Sequence, residues 1–172
     1  VINIGCGLDT RCYRMKEKYI SWYNVDLPET IEIRGRFLEE KGPIYQIAKS
    51  AMDISYTGSI TYNGDNVLVI VEGLSMYLSE NDVKQIFSII EKSFKTATVM
   101  IETMSPFCVK HIKEKSIEGS NAKFKWGVKK GRELEKIVPE FTWKKDISLV
   151  EGMKKMMPIY NVIGKIPVVK NI

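Results

Sequence analysis

Two glycines and four carboxylates carry the chemistry legible in this chain. Gly5, Gly7 and Asp9 sit in Asn3-Ile4-Gly5-Cys6-Gly7-Leu8-Asp9-Thr10-Arg11, and Asp26, Asp53 and Glu72 follow. The apolar start Val1-Ile2 runs straight into a turn whose glycines lie one residue apart. A side chain there would push a ligand off the backbone, and so sharp a turn asks for positive φ. Asp26 comes roughly 20 residues further on, where a carboxylate can accept from both hydroxyls of a ribose. It closes the apolar run Trp22-Tyr23-Asn24-Val25. This is the layout of a nucleotide site, and NAD and S-adenosylmethionine (SAM) compete for it. A dinucleotide fingerprint wants a third glycine to pack the helix beneath a pyrophosphate. Thr10 stands at that position, and Asp9 adds negative charge where a pyrophosphate already brings it. SAM has no phosphate and carries a sulfonium cation, so the acidic turn suits it better.

Strands and helices must alternate to hold these residues at one edge, and the pattern predicts that they do. Pro28 opens a helix through about Glu40, and Gly42-Pro43 ends it. A strand over Ile44 to Ala51 leads to Asp53, and a loop rich in Gly, Ser and Asn spans Thr57 to Asn66. The five branched aliphatics Val67 to Val71 read as a central strand buried on both faces. Ser79 caps the next helix with Asp82 in the capping-box position, and Val83, Ile86, Phe87, Ile90 and Phe94 form its apolar stripe. Ala97 to Glu102 is a further strand. Pro106 to Pro139 reads as polar and helical, interrupted by Gly127 and Gly131, and strands over Trp143 to Val150 and Ile159 to Ile166 close the chain.

This order predicts an α/β fold, a Rossmann-like, doubly wound, mostly parallel sheet of the class I methyltransferase type. Ligands of such sheets lie beyond the carboxyl ends of the strands, where strand order reverses. Gly5 to Asp9 fall at the end of the first strand, Asp26 at the second, Asp53 at the third and Glu72 with Gly73 at the fourth. Each has a plainer role open to it: Asp9 as a helix cap, Asp53 as a turn residue, Glu72 as a surface carboxylate. Their shared register favours one site. A carboxylate closing an aliphatic strand, as Glu72 does, is costly unless a cation pairs with it.

The 172 residues are expected to form one domain, 1–172, large enough for a proper core. The chain starts inside its first strand without an initiator Met, so the N-terminal part of that domain is expected to be missing. No apolar run reaches the length of a membrane span. Cys6, Cys12 and Cys108 form no C-x-x-C pair, which suits reduced thiols in a cytoplasm and supports no metal site. The net charge of +5 comes from scattered pairs such as Lys129-Lys130, Lys144-Lys145 and Lys154-Lys155. Without interleaved aromatics these read as a solvated surface, not a nucleic-acid patch.

Asn3 to Arg14 (NIGCGLDTRCYR), Asn24 to Glu29 (NVDLPE) and Val71 to Leu78 (VEGLSMYL) resemble the leucine carboxyl methyltransferase family, which includes polyketide-type bacterial O-methyltransferases. Phe124-Lys125-Trp126-Gly127 and Arg132-Glu133-Leu134-Glu135 resemble its bacterial branch. The resemblance implies a class I SAM-dependent enzyme that methylates oxygen. It implies that Gly5 and Gly7 form the floor under SAM beside Asp9, and that Asp26 takes the ribose. Asp53 and Ile54 would sit at the adenine and Glu72 at the methionine ammonium. Residues before the first strand help the family hold the SAM carboxylate and shape the acceptor pocket. The acceptor is left open among a small acid, a phenol and a protein C-terminus. A carboxylate acceptor needs no base, whereas a phenol, with pKa near 10, benefits from one. No catalytic residue is assigned. Tyr77 is expected to line the acceptor pocket, His111 to lie on the surface and Cys6 to be a small packing residue. The alternatives are a nucleotide-binding oxidoreductase and a degenerate, binding-only methyltransferase-like domain.

Overall fold

A computed structural model of the chain describes residues 1–15, 18–64, 66–112 and 122–149. They fall into two compact units, one formed by Val1–Leu74 and Asn81–Glu102, the other by Ser75–Glu80 and the residues from Thr103 onward.

The first unit holds a five-stranded sheet of β1 (Ile2–Ile4), β2 (Trp22–Asp26), β3 (Ile44–Ala48), β4 (Val67–Val71) and β5 (Ala97–Ile101) in the order β3-β2-β1-β4-β5. Every neighbouring pair is parallel. Ile2 lies opposite Tyr23 on one side and Val69 on the other. The chain therefore winds outward from β1 through β2 to β3, then crosses back to lay β4 and β5 on the far side. Strand order reverses between β1 and β4, and this is the doubly wound sheet expected from the sequence.

Between the strands run α1 (Arg11–Arg14), α2 (Pro28–Phe37) and α3 (Glu80–Ser93). Val69, Val71 and Ile4 are buried in the sheet centre, as an aliphatic strand flanked on both sides requires. The apolar stripe of α3 is buried as its period demands: Val83, Ile86, Phe87, Ile90 and Phe94 all lie in the core. Pro28 occupies the first turn of α2, where its missing N–H costs nothing. The helix stops at Phe37, earlier than the expected Glu40. Leu38 is extended, and Glu40 turns inward to accept from Arg34 Nε at 2.6 Å. β3 likewise ends at Ala48 and not at Ala51, because Lys49 N–H donates to the Ile47 carbonyl at 3.1 Å in a tight turn that breaks the ladder. The Thr57 to Asn66 stretch is partly ordered by a 3₁₀ turn over Ile54–Ser59.

The second unit has less regular structure than the sequence suggests. Only α4 (Pro106–His111), a 3₁₀ turn (Gly131–Glu133) and α5 (Leu134–Ile137) form among the described residues of the expected helical stretch. Lys125 and Val128 donate their N–H groups to the carbonyls of Met76 (2.7 Å) and Met104 (3.0 Å), so no helix ladder can use them. Gly127 sits so close to Met104 that a Cβ would overlap its carbonyl oxygen. The expected strand from Trp143 is absent, since residues 142–148 carry no sheet pairing. Trp143 donates instead to Glu135 (2.9 Å, backbone N–H) and to Asp146 (3.0 Å, indole N–H). The exposed Lys144-Lys145-Asp146 leaves no continuous face to bury. The closing strand expected over Ile159 to Ile166 lies outside the described residues. No helix among the described residues is long and apolar enough to cross a membrane.

Ile90 is fully buried in α3. Ile90→Ala should lower the unfolding free energy by about 3 kcal/mol, checked by urea denaturation at neutral pH. A loss below about 1 kcal/mol would show that the α3 contact with the sheet is looser than its burial implies.

Candidate functional site

The site is built where β1 and β4 diverge at their carboxyl ends. After Ile4, Gly5 takes φ +66° and Gly7 φ +47°, the left-handed region that glycine occupies without penalty. A Cβ on Gly5 would press on the Leu74 side chain at 3.0 Å, whereas nothing lies within 4 Å of where a Cβ would stand on Gly7 or Gly73. The turn is thus packed on one side and open on the other.

Asp26 reaches this turn from the end of β2. Its Oδ2 accepts from Gly7 N–H at 2.8 Å and its Oδ1 from Leu27 N–H at 2.8 Å. Each oxygen keeps further lone-pair capacity, so the carboxylate is oriented yet still able to accept. Asp9 lies two residues before α1 begins: Oδ1 accepts from Arg11 N–H (2.9 Å), and Oδ2 accepts from Arg11 Nε (2.8 Å) and Asn3 Nδ2 (2.9 Å). Burial alone would raise the Asp9 pKa, but the Arg11 backbone and guanidinium and the Asn3 amide outweigh it and hold the carboxyl below its ordinary 3.8.

Arg11 also extends Nη1 to Glu72 at 2.6 Å, tying the turn after β1 to the one after β4. The premise that Glu72 is buried with its strand does not hold. Its side chain is 52% exposed, beyond the buried strand, and its cation in this structure is Arg11. Water screens the charge, so burial does not oblige Glu72 to find a ligand cation. Gly73 N–H donates to Glu102 at 2.8 Å. Asp53 is exposed and caps the 3₁₀ turn by accepting from Ser55 N–H at 2.9 Å, and the Ser55 hydrogen bonds lower its pKa. Ile54 beside it is exposed.

Gly7 and Asp26 are thus in direct contact, and Arg11 brings Asp9 and Glu72 together. Asp53 and Ile54 follow β3 on the same sheet. Tyr77 belongs to the second unit, half-buried with its ring 5.3 Å from that of Phe124. His111 is exposed and stacked on Phe107, and its Nδ1 lies 2.9 Å from the Phe107 carbonyl oxygen. Cys6 is buried, and burial with the nearby Asp26 charge pushes its thiol up to about 12, which suits a packing role. Among the described residues no group of three or more His, Cys, Asp or Glu is arranged to hold a metal.

The profile of one protein family, leucine carboxyl methyltransferase, matches residues 1–91. The chain belongs to the leucine carboxyl methyltransferase family. Tetracenomycin polyketide synthesis O-methyltransferase TcmP of Streptomyces glaucescens is 29% identical over 154 residues, 88% of this chain and 57% of that protein. The S-adenosyl-L-methionine-dependent methyltransferase dpfgK of Gibberella zeae is 25% identical over 170 residues, 91% of this chain and again 57% of the relative. The chain therefore spans little more than half the length of these two proteins. In fold it is similar to the crystal structure of a SAM-dependent methyltransferase from Anabaena variabilis. The TM-score is 0.62 at 10% identity, over 82% of this chain and 63% of that one.

In this member of the leucine carboxyl methyltransferase family, two features of the site escaped sequence reasoning. Leu8 and Leu27 are exposed, as Ile54 is, so an uncovered apolar residue follows each of β1, β2 and β3. Their positions just past strand ends were the available signal. The second feature is Arg34, fully buried in α2, whose Nη1 donates to the carbonyls of Gly7 (2.9 Å) and Asp9 (2.8 Å). Its spacing of three from the buried Ile31 placed it on the inner face of the helix.

The lowered pKa of Asp9 sets a pH dependence. Its stabilising contribution is fully present above the ordinary carboxylate value and is lost as pH falls through the folded-state value. Wild type should therefore exceed Asp9→Asn in unfolding free energy at pH 6, with the gap closing below about pH 4. Urea denaturation at several pH values checks this, and a gap that does not vary with pH would show that the ionised form of Asp9 adds nothing.

Proposed function

We propose that this chain is the cofactor-binding part of a SAM-dependent O-methyltransferase. The acceptor oxygen would belong to a small carboxylic acid, a phenol or a protein C-terminus. The observation that carries this reading is the Asp26 carboxylate, oriented by Gly7 and Leu27 at the reversal point of the sheet with acceptor capacity to spare. The open space beside Gly7 and Gly73 fits a ligand lying against the backbone. Family membership favours this reading over an oxidoreductase.

In this proposal Gly5 and Gly7 form the floor, with Asp9 at its edge, and Asp26 accepts from the ribose hydroxyls. Exposed Ile54 offers the adenine an apolar face beside Asp53, and Leu8 and Leu27 help keep water from the site. Glu72 takes the methionine ammonium in exchange for part of its contact with Arg11. Bound SAM supplies a methyl group already activated by its sulfonium. What remains for the protein is alignment of the acceptor and exclusion of water. An acid acceptor is ionised at neutral pH and asks for no base. Tyr77 is the proposed lining residue on the acceptor side. The same reading takes 1–172 as one methyltransferase domain working in the cytoplasm.

The test is S-adenosylhomocysteine (SAH) formation by the full-length protein with a panel of carboxylic acids and phenols, alongside calorimetric SAH titration. SAH binding with turnover of one acceptor class is expected, and failure of both would overturn the proposal. Asp26→Ala should weaken SAH by about 2–4 kcal/mol through loss of two charge-assisted hydrogen bonds. Unchanged affinity in that variant would sink the ribose assignment. Glu72→Gln should lower SAH affinity while leaving the ligand-free thermal midpoint nearly unchanged, since an exposed ion pair contributes about 0–1 kcal/mol.

A further inference from the structure

Arg34 is the one fully buried guanidinium among the described residues, and it reaches the glycine turn from beneath while Glu40 and Cys12 occupy its remaining donors. Nη1 donates to the carbonyls of Gly7 (2.9 Å) and Asp9 (2.8 Å), Nη2 lies 3.5 Å from Cys12 Sγ, and Nε donates to Glu40 Oε1 at 2.6 Å. Glu40 Oε1 also accepts from Asn24 Nδ2 at 2.9 Å, so strand β2 holds the carboxylate in place. Gly7 is consequently gripped from both sides. Its carbonyl accepts from Arg34 below, and its N–H donates to Asp26 at 2.8 Å. Those two bonds fix Gly7 in its left-handed conformation and, through it, the direction of the Asp26 carboxylate.

We propose that Arg34 and Glu40 are positioning residues for the SAM site: the buried pair holds the glycine turn in the shape that receives the cofactor. This inference rests on the SAM reading above. A buried ion pair is seldom the most stabilising way to fill a core, because apolar residues of similar volume often do as well or better. What the pair supplies that Met or Leu cannot is a planar guanidinium, held at Nε by Glu40, whose Nη1 is aimed at two carbonyls in a fixed geometry. Lysine, a single point charge on a flexible stem, cannot serve Glu40 and both carbonyls from separate nitrogens of one rigid plane. The turn offers its carbonyls to the protein interior, which leaves its open side free for the ligand.

The experiment uses the full-length protein. Arg34→Lys and the double variant Arg34→Met with Glu40→Met are compared with wild type by SAH calorimetry, ligand-free thermal midpoint and hydrogen exchange of the Gly5–Asp9 amides. Val83→Ala, a buried α3 change away from the turn, calibrates the effect of lost stability alone. At least tenfold weaker SAH binding is expected in both test variants, with faster exchange in the turn. The double variant should keep its midpoint or raise it, and Val83→Ala should lose midpoint while binding SAH within twofold of wild type. A folded double variant that binds SAH like wild type overturns the inference. Should that variant fail to fold, Arg34→Lys decides. An affinity loss no larger than that of Val83→Ala makes the pair merely structural and overturns the inference. Wild-type protein that does not bind SAH would overturn the cofactor reading and this inference together, so the two failures are told apart.

Discussion

A guanidinium with no exposed surface must be matched on every side, and the first unit is organised around matching that of Arg34. Two backbone carbonyls, one carboxylate and one sulfur surround it. The network continues through Asn24, which accepts from Trp22 Nε1 at 2.9 Å and from Asn3 Nδ2 at 3.4 Å, and through Asn3, which donates to Asp9. Two strands, a helix, the segment after it and the glycine turn are thereby linked by polar groups in an otherwise apolar interior. Breaking one side of such a pair leaves an uncompensated charge and costs ~3–5 kcal/mol. That is a large share of the ~5–15 kcal/mol by which a domain is stable at all. The requirement explains details that look incidental, such as α2 stopping early so that Glu40 can return.

The rim of the site follows different physics from its floor. Arg11 joins Asp9 in a sheltered pair and reaches Glu72 where solvent meets the carboxylate, and that second contact is screened and weak. In the proposed reading, a ligand carrying its own cation and anion would replace it at small cost. The floor, by contrast, is set before any ligand arrives. A preorganised base with exchangeable charges above it suits a zwitterionic ligand end.

Much of this was legible in the sequence. The double glycine, Asp26, the aliphatic β4 and the stripe of α3 each obey a strong local rule, and local rules can be read without neighbours. Arg34 and Glu40 are invisible to those rules because charged residues are almost never fully buried. Only the meeting of α2 with the turn makes them internal. The exposure of Glu72 is hidden in the opposite sense. Sequence shows that it follows a buried strand but not that the chain has already surfaced. The missing strand at Trp143 has the same origin: Trp143, Ile147 and Leu149, set around Lys144-Lys145-Asp146, specify no partner. Asn3 and Asn24 sit mid-strand with nothing in their surroundings to announce that they face one another.

The register of β1 carries a consequence for how the chain acquires its shape. Ile2 pairs with Tyr23 nearby in sequence, but its other neighbour, Val69, arrives only after two further strands and their crossings. Closing so long a span is entropically opposed until the β4 aliphatics dock. Parallel sheets with distant partners fold slowly for this reason. As the protein emerges from the ribosome, β1 waits with one edge bare while β2, α2 and β3 are made. Arg34 and Glu40 are available in that interval to order the glycine turn. The ends of β1 and β4, between which the proposed cofactor site lies, come together only after that crossing closes.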